Sequence, residues 1–189
     1  MPDLFDPLQI RSVKFLNRIA VSPMVQTSSK DGFANDWHLV HLGSRAVGGA
    51  GLVMTEAAAI DKIGRICSND LGIWKDAHII QLKKIASFIK DQGSIPGIQL
   101  AHAGRKGSYS SPLSQSGLMP LEPLSPKNNG WQTIAPSAIP FENKSSKPTQ
   151  MDNKDIQNVI SSFKKAAKRA DLANFDLIEV HAGHGYLLH

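Results

Sequence analysis

A single cysteine, Cys67, in 189 residues leaves no partner for an internal disulfide and fits a reducing compartment. No run approaches the roughly 18 to 20 apolar residues of a membrane span. The opening Met1, Pro2, Asp3 shows neither the basic leader nor the apolar core of a secretory signal, so the expectation is a soluble, cytoplasmic chain. The 21 basic against 16 acidic side chains give +5, but the excess is thinly spread. Its densest group, Lys164, Lys165, Lys168 and Arg169, lies in a helical segment without interleaved aromatics and reads as a solvated face rather than a nucleic-acid surface. Neither nucleic acid nor membrane is expected as a partner.

What the chain does contain is enough apolar residue, 41%, to build the core of one domain over residues 1–189. Its organising stretch is the last. Asp176 to His181 is an apolar run of strand length, read as buried, and it leads into Ala182, Gly183, His184, Gly185, Tyr186. Ile95 to Ala103 is built the same way and leads into Gly104, Arg105, Lys106. Two strands that each end in small and polar residues, with a helical segment between them, are expected as neighbouring staves of one parallel barrel that opens on one face.

Taken in order, Leu8 to Arg11 and Val13 to Leu16 read as a hairpin. Ile19 to Val21 is a short strand that Pro23 ends, because proline cannot donate to a ladder. Asp36 to Val47 places Leu39, Leu42 and Ala46 at helical spacing, with Asn35 or Asp36 as cap and Gly48, Gly49 as stop. Ala50 to Ile60 carries the continuous run Leu52, Val53, Met54, as a strand covered on both faces requires. The next helix turns Leu82, Ile85, Ala86 and Ile89 to one side and stops at Gly93. Gly104 to Gln150 is a long polar passage, expected as a lid or wall above the strand ends. Asp152 with Asp155 caps a helix with Ile156, Val159, Ile160, Phe163, Ala167 and Ala170 on one side. Four strand–helix alternations argue for α/β with right-handed crossovers.

These pieces together resemble the old yellow enzyme family of FMN-dependent NAD(P)H oxidoreductases and ene-reductases, nearest its bacterial branch. The resemblance rests on Asn17–Arg18 before the first strand, Ser22–Pro23–Met24, Ser44–Arg45–Ala46, Gly64–Arg65 and Leu71–Gly72–Ile73–Trp74. Most specifically, it rests on Gln99-Leu-Ala-His-Ala-Gly-Arg-Lys106 taken with His181-Ala-Gly-His-Gly-Tyr-Leu187. It implies a (β/α)8 barrel of about 250 residues or more. The chain is therefore expected to be the amino-terminal half: a partial TIM barrel of about four βα units with an N-terminal hairpin, not closed, and truncated after the fourth strand.

The resemblance also implies the chemistry. The cofactors are FMN, with NAD(P)H as reductant, and the substrate is a small electron-poor alkene or quinone. His181 and His184 converge on one substrate oxygen, and Tyr186 is the proton donor. Pro23, Met24, Val25, Ala59 and Gln99 form the flavin cradle. Val25 stands where the bacterial branch has a cysteine, and Thr27 where many members have a tyrosine. Two other readings accompany this one. In the first, the half-barrel is not catalytic, or needs a complementing carboxyl-terminal half or a second copy of itself. In the second, His181, His184 and Glu179 ligate zinc; that is disfavoured because a strand end does not set three side chains on one helical face, and no metal is assigned. His102 reads as a structural histidine, Cys67 as an inert thiol, and Trp74 and Trp131 as packing residues, with Trp131 also a candidate wall of the site.

Overall fold

A tight hairpin opens the chain. β1 (Leu8–Ile10) runs antiparallel to β2 (Val13–Phe15), and Arg11 takes the left-handed conformation in the turn. β3 (Ala20–Val21) follows, then α1 (Asp36–Val47), whose cap is Asn35: its side chain accepts from Trp37 N at 3.0 Å. β4 (Leu52–Ala59) and α2 (Ile79–Asp91) make a second strand–helix step, and β5 (Ile95–Ala101) begins a third. The computed structural model describes residues 1–114 and 117–189.

Between Gly104 and Gln150 the expected polar passage is folded into small pieces. β6 (Leu113–Ser114) pairs with β7 (Gly117–Leu118), and β8 (Ile134–Ala135) with β9 (Thr149–Gln150). It is pinned at Trp131, whose indole donates to Ile63 O at 2.9 Å and covers the Arg65 guanidinium from 4.9 Å, while Trp74 lies 5.4 Å away. Trp131 is thus a packing residue and not part of the cavity wall.

α3 (Asn153–Leu172) starts with the reciprocal cap read from the sequence. Asp152 accepts from Asp155 N at 2.8 Å, and the Asp155 carboxylate accepts from Asp152 N at 3.2 Å. The face that meets α2 and β5 is narrower than expected. Val159, Ala166 and Ala170 are buried, whereas Ile156 and Ile160 are 42% and 40% exposed, because alanines let the helix approach along a thin stripe.

β10 (Leu177–Val180) closes the order β10–β5–β4–β3, parallel throughout, with Ile178 opposite Ile98 and Ala57 opposite Gln99. This is a partial α/β fold and not a closed barrel. Among the described residues β3 and β10 are each paired on one side only, so the run at Ile178 and Val180, expected as buried, is an exposed edge. The core lies between the sheet and the helices: Val53, Ile98, Leu100, Leu82, Ile85 and Ile89 are each at most 2% exposed. Each contributes on the order of 1.5–3 kcal/mol relative to exposure.

Candidate functional site

Parallel strands deliver their chemistry at their carboxyl ends, and here those ends surround a cavity of about 490 Å³. Its floor is made by β4 and β5 with Ala57, Ala59, Gln99 and Ala101. One wall follows β3 with Ser22, Pro23 and Val25; the opposite wall is Glu179, His181, His184 and Tyr186. Four of the five expected cradle residues and all three expected reactive groups therefore share one cavity. Met24 does not line it; the residue is 40% exposed. Ile66 and Asp70 line a far side, which continues past Val25 and Tyr186 into a second cavity of about 580 Å³ rimmed by Trp37, Leu118 and Leu121.

The wall that holds the two histidines and Tyr186 is a tight turn grafted onto β10. His181 N donates to Leu100 O at 2.9 Å and Leu187 N to His102 O at 3.0 Å, so both ends of the turn are tied to β5 and its continuation. Between them, His184 and Gly185 take positive φ values of 58° and 71°. A non-glycine residue held there is uncommon and costs strain of order 1–3 kcal/mol. Gly104, at φ 60°, passes so close that an added Cβ would lie 3.0 Å from Leu187 Cα. Lys106 Nζ donates to His184 O at 2.8 Å and sits over the rings of Phe141 and Tyr186, 4.6 and 4.9 Å from their centroids.

The two imidazoles face each other, His184 Nδ1 lying 3.3 Å from His181 Nε2. That contact takes up one N–H of the pair, leaving His181 Nδ1 and His184 Nε2 outside it. Burial, and next the neighbouring His184, hold His181 below the usual imidazole range, with Glu179 opposing. Burial, and then Asp70, push the Tyr186 phenol up, which keeps its proton in place. The Gln99 amide, only 8% exposed, donates to Glu179 Oε1 at 2.5 Å, the residue opposite it in the ladder.

Several members of the site are not distinguished by sequence spacing. Asp70 is 5% exposed; it accepts from Ile66 N at 2.6 Å and from Cys67 Sγ at 3.1 Å, and burial raises its pKa. Burial, followed by Asp70, pushes the Cys67 thiol up to about 12, so it stays protonated and unreactive. Buried Glu56 stands on β4 directly before the alanine floor and accepts from Gln26 N at 2.8 Å. His102 is 2% exposed, accepts from Gly104 N at 3.0 Å through Nδ1, and is lowered to about 4 by burial. Among the described residues no group of three or more His, Cys, Asp or Glu side chains comes together to hold a metal ion.

The cavity suits the ring of a flavin better than its phosphate. Alanines make a flat, shallow floor, and Gln99 offers a primary amide at its centre, yet no lysine or arginine is among the lining residues. A phosphate is normally held by such cations or by a helix N-terminus.

The pattern of the NADH:flavin oxidoreductase / NADH oxidase family matches residues 3–189. An NADPH dehydrogenase of Listeria monocytogenes is 44% identical over 191 residues, covering 100% of this chain and 51% of the relative. A NADH:flavin oxidoreductase of Gibberella zeae is 44% identical, covering 98% and 45%. Morphinone reductase in complex with tetrahydroNAD superposes with a TM-score of 0.82 at 28% identity, over 99% of this chain and 51% of that one. Old Yellow Enzyme from Pichia gives 0.81 at 28% identity, over 97% and 47%. The chain spans about half the length of the curated relatives it matches. No helix among the described residues is long and apolar enough to cross a membrane.

Proposed function

We propose, from the premise that this chain belongs to the NADH:flavin oxidoreductase / NADH oxidase family, that residues 1–189 form the amino-terminal half of an FMN-binding barrel that reduces electron-poor alkenes or quinones. The family's cofactors are FMN, with NAD(P)H as reductant. The observation that carries the reading is the convergence of His181, His184, Tyr186 and Gln99 around one alanine-floored cavity at the strand ends.

FMN, when bound, supplies to the alkene β-carbon the hydride it has received from NAD(P)H. The chain's own residues do the rest. His181 Nδ1 and His184 Nε2 lie outside their mutual contact; with that contact made, a neutral pair has one of the two protonated, and that one can donate to a substrate carbonyl oxygen and stabilise the negative charge that develops there. Donation from both at once requires a third proton on the pair, or release of the 3.3 Å contact, so substrate binding and the protonation of the pair are linked. Tyr186, its ring centroid 5.2 Å from that of His181 and its phenol kept protonated, gives its proton to the α-carbon. Pro23, Val25 and Ala59 let a flat ring lie close, and the Gln99 amide turns from Glu179 to the ring edge. No lysine or arginine lines the cavity, so on this reading the phosphate is held by groups outside its lining, supplied by a longer form of the chain or a complementing half. The setting is cytoplasmic, in keeping with the lone buried thiol.

A second reading is favoured by the open sheet. Ile178 at 39% and Val180 at 52% exposure leave apolar surface on the outer strand β10, and such edges pair or aggregate readily. On that reading the chain by itself is a non-catalytic half-barrel. A visible spectrum of the purified protein after FMN addition and desalting separates the two. A retained band near roughly 450 nm, the order expected of a bound flavin, with NAD(P)H-dependent alkene reduction, supports the first. Colourless, oligomeric protein supports the second.

A further inference from the structure

After β3 ends at Val21, the chain runs from Ser22 to Ser29 without regular structure, although this stretch provides the Ser22, Pro23 and Val25 wall. Thr27 within it takes φ 48°. Such a wall has no ladder to fix its distance from the floor. Val25, with an apolar side chain, cannot fix it by a hydrogen bond either.

What reaches it is a buried carboxylate. Glu56, 3% exposed, accepts from Gln26 N at 2.8 Å through Oε2. Its Oε1 lies 3.0 Å from His38 Nε2, close but without the alignment of a hydrogen bond; the same nitrogen is 3.3 Å from Ser29 Oγ. The other His38 nitrogen, 3.1 Å from Asn35 N, closes the cap of α1. On the outer side Trp37 Nε1 donates to the Gln26 side chain at 3.0 Å. One carboxylate thus touches the start of a helix, the unladdered wall and, through its own strand, the alanine floor.

Taking a carboxylate out of water costs several kcal/mol unless pairing and hydrogen bonds offset it, and an apolar side chain of similar size often serves the fold equally well. Glu56 also sits in a strand otherwise made of apolar residues and one threonine. We infer that Glu56 is a positioning residue: through the Gln26 amide it sets the wall at Pro23–Val25 against the Ala57–Ala59 floor, and so the width of the slot a flat ring enters. This rests on the flavin reading for its purpose but not for its geometry.

Amide hydrogen exchange tests it in the absence of flavin. Glu56→Met keeps size and removes the acceptor, while Glu56→Gln restores an acceptor without the charge. The Gln26 amide should exchange about tenfold faster in E56M, as expected for losing roughly 1.4 kcal/mol of hydrogen bonding, with β4 and β5 amides changed less than about threefold and Gln26 protection retained in E56Q. Equal acceleration throughout the sheet, failure of E56M to fold, or unchanged exchange at Gln26 would each overturn the assignment. With FMN added, E56M should bind about tenfold more weakly than wild type and E56Q about equally, matching the same lost hydrogen bond. Equal FMN binding by E56M and wild type counts against the brace. No uptake by wild type sinks the proposed function, while the exchange data still decide the brace.

Discussion

β5 and β10 run side by side in register, and two of their pairs match branched apolar residues. Ile98 is fully buried, yet its partner Ile178 is 39% exposed; Leu100 is 1% exposed, yet its partner Val180 is 52% exposed. The inner strand carries Gln99 and Ala101 of the cavity floor. The turn that follows the outer strand carries the imidazoles and the phenol. The lesson is that the groups proposed as reactive follow an exposed outer strand and are tied to the inner one through the His181–Leu100 and Leu187–His102 backbone bonds.

The largest test of that contrast is to cut matched side chains. Ile98→Ala should cost about 2–5 kcal/mol of stability, through lost burial and the cavity left behind. Ile178→Ala, at an exposed position, should stay within about 1 kcal/mol. Urea denaturation of both variants gives the difference; equal losses would mean that the edge is covered in solution. On the chemical side, His181→Ala in flavin-loaded protein should lower kcat by about 100- to 1,000-fold, or 2.7–4 kcal/mol, the range for removing one oxyanion donor. Steady-state alkene reduction reads it, and an unchanged kcat removes His181 from the role proposed for it.

The same contrast explains what was legible in the sequence. Continuous apolar runs mark β4 and β5 because both their faces are covered, and the caps at Asn35 and Asp152 are local events between residues two or three apart. Whether a run lies at the edge of a sheet depends on what pairs beyond it, which no pattern within Asp176–His181 reports. The role of Glu56 is not legible in its own strand because its partners, Gln26 and His38, lie 30 and 18 positions away. Arg65 likewise meets Trp74 and Trp131 only in the fold. Gly104, Leu187 and the histidine turn are recognisable as motifs, but the close approach that joins them is a property of the packed strands.

A buried group on the inner side should make the fold sensitive to acid. His102 titrates near 6.5 when unfolded and at about 4 when folded, so the unfolded chain binds more protons between those values. Its contribution is complete above pH 6.5 and is lost as pH falls towards 4, about 3 kcal/mol in all. His102→Asn, which keeps an acceptor within reach of Gly104 N, should flatten that part of the stability–pH curve. His181 is shifted in the same direction but lies at the exposed wall, so His181→Ala should leave the curve nearly as steep as in wild type. Denaturant midpoints between pH 4 and 8 distinguish the two, and a slope that survives His102→Asn would assign acid loss to other groups.

The smallest effect belongs to the link between the two strands' loops. Lys106 follows β5, yet its ammonium donates to His184 O and lies over the Tyr186 ring, so it spans from the inner strand to the outer turn. Lys106→Met keeps most of the stem and removes both interactions. The bond is to a charged donor but partly solvated, so a stability loss of about 1 kcal/mol is expected. The more telling readout is local. Since His184 is held at positive φ, releasing its carbonyl should let the turn relax, speeding amide exchange at Gly185 and Tyr186 more than at the β5 amides. If both regions respond alike, the turn is held by its backbone ties alone, and the inner strand's hold on the histidine turn ends at Leu100 and His102.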